Sequence, residues 1–140
     1  MGNVKRKPAD DEFSKCVRAS ANYTCERCGT YYGPGHAGLH CSHNFSRRHR
    51  TIRWCKENAL SLCYGCHSWF GGNPADSGRW LEEKLGESAL EVLREKRDSR
   101  VKVPKTEEKE IAAHYRKELK KIQSLIDGGT EPPYDFESWQ

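Results

Sequence analysis

No apolar run in these 140 residues approaches the roughly 20 that a membrane-spanning helix needs. The start, "MGNVKRKPADDEF", has no apolar stretch of the kind an export leader carries, and Arg6 stands where a myristoylation motif wants Ser or Thr. Both absences point to a cytoplasmic chain, where disulfides are disfavoured. Methionine is scarce as well: Met1 is the only one, so no internal methionine could serve as an axial haem ligand. Hydrophobic residues make up 35% and mean hydropathy is −0.95, which leaves a thin core in need of a staple. Acids are missing from one region in particular. Between Arg27 and Ala75 the only one is Glu57, against six bases, while the rest of the chain is close to balanced. Five of the six histidines, His36, His40, His43, His49 and His67, fall in the same window. Local positive charge of this kind favours a polyanionic partner.

Seven cysteines are present, and four of them form two Cys-x-x-Cys knuckles, "CERC" (Cys25, Cys28) and "CYGC" (Cys63, Cys66). Four thiolates in that spacing suit a tetrahedral structural Zn(II). The 34 residues between the knuckles exceed the loop of a minimal ribbon, so the zinc would staple the base of an inserted element. "CYGCH" also fits the attachment motif of c-type haem, which goes with export and a methionine ligand, both lacking here. A redox role for one Cys-x-x-Cys pair is less economical once a second pair is present. Cys16, Cys41 and Cys55 read as small buried hydrophobes, with Cys41 a reserve ligand.

Along the chain, five segments follow from composition and periodicity. Residues 1–21 hold a short helix over 10–20, with Phe13, Cys16 and Val17 on one face; residues 22–75 form the zinc-bound core. Residues 76–100 read as a helical extension broken near Gly86 and packed through Trp80, Leu81, Leu85, Leu90 and Leu93. Residues 101–127 contain an amphipathic helix from Thr106, its cap, to Ile126, with Ile111, Tyr115, Leu119 and Ile122 on its apolar stripe. Residues 128–140 read as an irregular acidic tail. Within the core, "LHCSHNF" and "TIRWC" have the composition of two hairpin arms around a basic turn, and a short helix follows Cys66 until Gly71 and Gly72 stop it. Arg47, Arg48, Arg50 and Arg53, with no acid beside them, are the candidate contacts to nucleic-acid phosphates.

In "HCSHNF…KENALSLCYGCHSWFGGN", the residues His43, Asn58 and His67 stand in the order of the HNH pattern, with "N-x-L-x-LC-x-x-CH" around the second knuckle. The stretch resembles the HNH, or ββα-metal, endonucleases and is similar to phage recombination endonucleases of the Rap/NinG type, over roughly residues 13–97. The resemblance implies an α+β, zinc-stapled ββα-metal domain with helical additions, acting as a metal-dependent DNA endonuclease, with branched or recombination DNA favoured. It implies His43 as general base, Asn58 as the residue that holds the loop and orients it, and His67 as ligand of a catalytic Mg(II) or Mn(II). His67 is also open to a second role, replacing a cysteine on the zinc. The chemistry suits these residue types, since phosphodiester hydrolysis needs a base that works near neutral pH and a cation against the developing charge. One departure stands out: Ser42 occupies the position before the base where many HNH enzymes place a second metal ligand, and His40 is the possible helper. The rival readings are a catalytically silent zinc module that binds nucleic acid and a zinc finger that binds protein.

Overall fold

The computed structural model describes residues 4–139; the Met-Gly start and Met1 itself lie outside them. The fold is mixed α+β, with five helices and one two-stranded antiparallel sheet among the described residues. Helix α1 (Pro8–Ser20) begins with proline in its first turn, and Lys7 N–H donates to the Asp10 carboxylate at 2.8 Å, closing its N-terminus. Its buried residues Ala9, Phe13, Cys16 and Val17 recur at helical spacing. Strand β1 (Leu39–His43) pairs with β2 (Ala59–Cys63), Leu39 opposite Cys63 and His43 opposite Ala59. Helix α2 (Tyr64–Gly72) leaves β2 without a loop, and α3 (Pro74–Leu85), α4 (Glu87–Asp98) and α5 (Glu108–Asp127) follow. Gly86, at φ +87°, forms the break between α3 and α4.

Two hydrophobic clusters organise these elements. In the first, α1 packs on Ile111, Tyr115 and Ile122 of α5, and the tail closes over it through Tyr134 and Phe136. The second holds Cys25, Cys63 and Cys66 together with Leu60, Leu62 and the apolar sides of α3 and α4. The sheet lies between them, which is why all five residues of β2 are buried. Side chains alternate along β1, so Cys41 and His43 turn toward α1 while His40 and Ser42 turn toward α2.

Two expectations are revised. "TIRWC" is not the second hairpin arm: Thr51–Trp54 is a run of turns, and "ALSLC" pairs with β1 instead. Asn58 accounts for this, because its side chain bonds the backbone of Phe45 and Ile52 and holds residues 44–52 as a loop. Thr106 does not cap the last helix; it sits in a 3₁₀ turn, Lys105–Glu107, that leads into α5. The tail is irregular as read, yet it is a strap rather than a loose end. Trp139 N–H donates to the Tyr115 hydroxyl at 2.8 Å, and Lys56 N–H donates to Ser138 Oγ at 2.8 Å. Among the described residues no helix is long and apolar enough to cross a membrane.

Candidate metal centre and histidine cleft

The four knuckle cysteines converge. Their sulfur atoms all lie within 4.8 Å of one another, with Cys28 Sγ and Cys63 Sγ 3.9 Å apart. Ligands at about 2.3 Å around a tetrahedral zinc are separated by about 3.8 Å, so this cluster can hold such an ion. Local hydrogen bonds reach the first sulfur of each knuckle. Cys28 N–H points to Cys25 Sγ at 3.5 Å, and Cys66 N–H points to Cys63 Sγ at 3.4 Å, each knuckle turning an amide toward its first sulfur. Arg27 reaches Cys66 Sγ at 3.5 Å and supplies positive charge beside the group. Cys63 ends β2 and Cys66 lies in the first turn of α2, so the centre fixes the angle at which α2 leaves the sheet. Cys41 is not part of the cluster; it packs toward α1, and Cys16 and Cys55 are buried as expected. His67 is also absent from the cluster, because its ring turns toward His40.

One residue beyond the knuckle, His67 Nδ1 lies 3.0 Å from His40 Nδ1. That is the separation of two adjacent nitrogen ligands about 2.1 Å from a common cation, so the pair can hold one. Ser42, next on the same face of β1, is buried, and its hydroxyl has no hydrogen-bond partner. Burial and the charge of His40 both hold the His67 pKa below 6.5.

His43 closes β1. Its Nε2 donates to the Arg53 carbonyl at 3.0 Å, and its ring packs against Phe13 at 5.9 Å between centroids. A carbonyl can only accept, so the proton of the neutral ring is on Nε2 and the lone pair is on Nδ1. Burial pushes the His43 pKa down to about 4; the Arg53 carbonyl counters this and the Arg47 charge adds to it. The ring is therefore neutral at pH 7, and a phosphate anion beside it would raise its basicity. His43, His67, Ser42 and Arg94 line one cleft of about 440 Å³.

Asn58, fully buried, ties the end of β1 to the loop that follows. Its Oδ1 accepts from Phe45 N–H at 2.9 Å, and its Nδ2 donates to the Phe45 and Ile52 carbonyls at 3.1 and 3.2 Å. The loop it holds carries Arg53, whose carbonyl fixes the His43 tautomer.

Three of the four arginines assigned to phosphates are engaged within the protein. Arg53 is buried and forms a fork on Asp10 at 2.9 and 2.6 Å. Arg47 reaches the Val4 carbonyl at 3.1 Å and lies 3.6 Å from Asp10. Arg50 pairs with Glu108 at 2.8 Å and donates to the Val103 carbonyl at 3.0 Å. Only Arg48 of the four is exposed. The window is short of acids in sequence but not in space, because α1 and α5 bring Asp10 and Glu108 onto it. Burial alone would raise the Asp10 carboxyl, but hydrogen bonds from Arg53 and the Lys7 amide hold it below 3.8. Removing one partner of such a pair leaves a charge stranded in the interior. Arg53→Ala is expected to lower stability by about 3–5 kcal/mol in urea denaturation. Arg53→Lys should recover only part of it, since an ammonium cannot reproduce the fork.

Comparison of the chain with family models, with curated proteins and with solved structures finds no match. The class is therefore defined by geometry alone: a mixed α+β chain in which an early turn, the end of β2 and the start of α2 bring together four cysteines able to hold a metal, beside a histidine pair and a third, tautomer-fixed histidine. The strap and the roles of Asp10 and Glu108 were missed in the sequence, where no local signal links residues so far apart.

Proposed function

We propose that the chain is a metal-dependent DNA endonuclease of the HNH, ββα-metal type. The observation that carries this reading is the His43 ring, held by the Arg53 carbonyl with its Nδ1 lone pair unused, in a cleft it shares with His67. In the proposed reaction His43 Nδ1 takes a proton from water. The water oxygen bonds to phosphorus, the opposite P–O bond breaks, and the leaving oxygen acquires a proton from solvent. Asn58 keeps the loop, and through it the Arg53 carbonyl, in the place that orients His43. His67 and His40 are the residues to hold the catalytic cation, which when bound supplies positive charge against the phosphorane and the leaving oxygen. Two imidazole nitrogens with no carboxylate favour Mn(II) or a neighbouring transition ion over Mg(II). The cysteine cluster, loaded with Zn(II), acts only as the staple.

The test is metal dependence. His67→Ala should abolish cleavage at low Mn(II) and regain part of it as Mn(II) is raised. His40→Ala should shift the Mn(II) concentration for half-maximal cleavage upward by at least about tenfold. Metal response unchanged in both variants would remove the histidine pair from the mechanism. One observation favours a silent nucleic-acid-binding module instead: Ser42, a neutral hydroxyl where a carboxylate would bind the cation more tightly. That reading predicts no cleavage with any cation.

A further inference from the structure

His67 is a wall shared by two clefts. On one side is the His43 cleft, with Arg94 in its lining. On the other is a second cleft of about 440 Å³, lined by Arg6, Arg18, His36 and His40, with no carboxylate in its lining. Consecutive residues of β1 serve the two, Leu39–Cys41 the second cleft and Ser42 and His43 the first, so the clefts are neighbours along one strand. Resting on the endonuclease reading, we propose that these two clefts form one track for a DNA strand, with Arg6 and Arg18 on one side of the histidine pair and Arg94 on the other as its phosphate contacts.

The arginines themselves separate into two kinds. Arg53 and Asp10 are only 4% and 2% exposed, and a pair so buried does not exchange its partner for a phosphate. Those of the track are held loosely. Arg18 donates to the Ser14 hydroxyl, Arg94 touches Glu91 at 3.4 Å with the two side chains 43% and 59% exposed, and Arg6 pairs with an exposed Asp11. Exposed ion pairs like those of Arg94 and Arg6 are worth up to about 1 kcal/mol, less than a charge-assisted bond to a phosphate returns, and the Arg18 bond is to a neutral hydroxyl. Dimensions agree. From His40 to His43 the strand rises about 10 Å, so the two clefts are neighbours on the scale of a few nucleotides, each of which advances about 3.4 Å along a duplex axis. None of the three arginines lies in the acid-poor sequence window, which is why the window alone points elsewhere.

The experiment measures anisotropy of a short fluorescent DNA duplex across a salt series, with His43→Gln in the background so that the strand stays whole. Each of Arg18→Ala and Arg94→Ala should weaken binding and reduce the slope of log K against log salt by about 0.9, and the double variant by about twice that. Arg50→Ala, whose side chain is spent on Glu108 and Val103, should leave the slope unchanged. A wild-type slope in the double variant overturns the track while leaving the endonuclease reading standing. Absence of salt-dependent binding in the parent protein overturns both. A reduced slope in a protein whose His43→Gln form still cuts DNA supports the track and removes the endonuclease mechanism instead.

Discussion

Cysteine 63 replaced by serine is expected to cost the protein its zinc and the order of its central third. The four sulfurs link the 25–28 knuckle to the junction of β2 and α2, and three of those cysteines are themselves members of the second hydrophobic cluster. Structural zinc contributes about 10–16 kcal/mol in zinc-finger peptides at pH 7, as much as or more than the whole net stability of an ordinary domain. Without it the leucines of β2, α3 and α4 have too little else to hold them. The first cluster stands apart, since α1, α5 and the tail pack on one another without a cysteine ligand. Cys63→Ser should therefore lose hydrogen-exchange protection across β2, α2, α3 and α4 while much of α1 and α5 stays protected. Elemental analysis of the parent protein should find about one zinc per chain. A Cys63→Ser protein that retains the metal, or keeps its central protection without it, would show that the cluster is not the staple.

How far the site could be read in the sequence depended on the range of the interaction. The knuckles, the helical stripes, the break at Gly86 and the end of β1 at His43 are all set by neighbours within a few residues, and each was legible. The partner of β1 was not, because "TIRWC" and "ALSLC" have similar strand composition and only the buried Asn58 amide decides which becomes the loop. The arginines misled for the same reason. Charge density along a chain says nothing of an Asp10 that folds back onto it from 43 residues away. His40 was visible only as a possible helper, and its 3.0 Å approach to His67 required the register of the hairpin and the angle of α2 together.

His43→Gln is the second large effect expected. Glutamine can still donate to the Arg53 carbonyl and fill much of the ring's space, but it offers no basic nitrogen at the position of Nδ1. Cleavage should fall roughly 10²- to 10⁴-fold, the usual contribution of a general base, while zinc content and DNA affinity stay near those of the parent. In the folded protein His43 binds its proton only near pH 4, against 6.5 for the ordinary group. The unfolded chain is thus the better proton acceptor between those values, and stability is lost as pH falls through that window, by up to about 3 kcal/mol. His43→Gln removes that loss, so urea midpoints of the variant and the parent should converge or cross between pH 7 and pH 4.5.

The most direct measurement is the conversion of supercoiled plasmid to nicked and linear forms by the zinc-loaded protein with added Mn(II) or Mg(II), with His43→Gln purified in parallel. The account predicts conversion by the parent, stronger with Mn(II), absent without added cation, and at least about a hundredfold slower in the variant. Equal cutting by parent and variant, or no cutting by the parent with either cation, would contradict it.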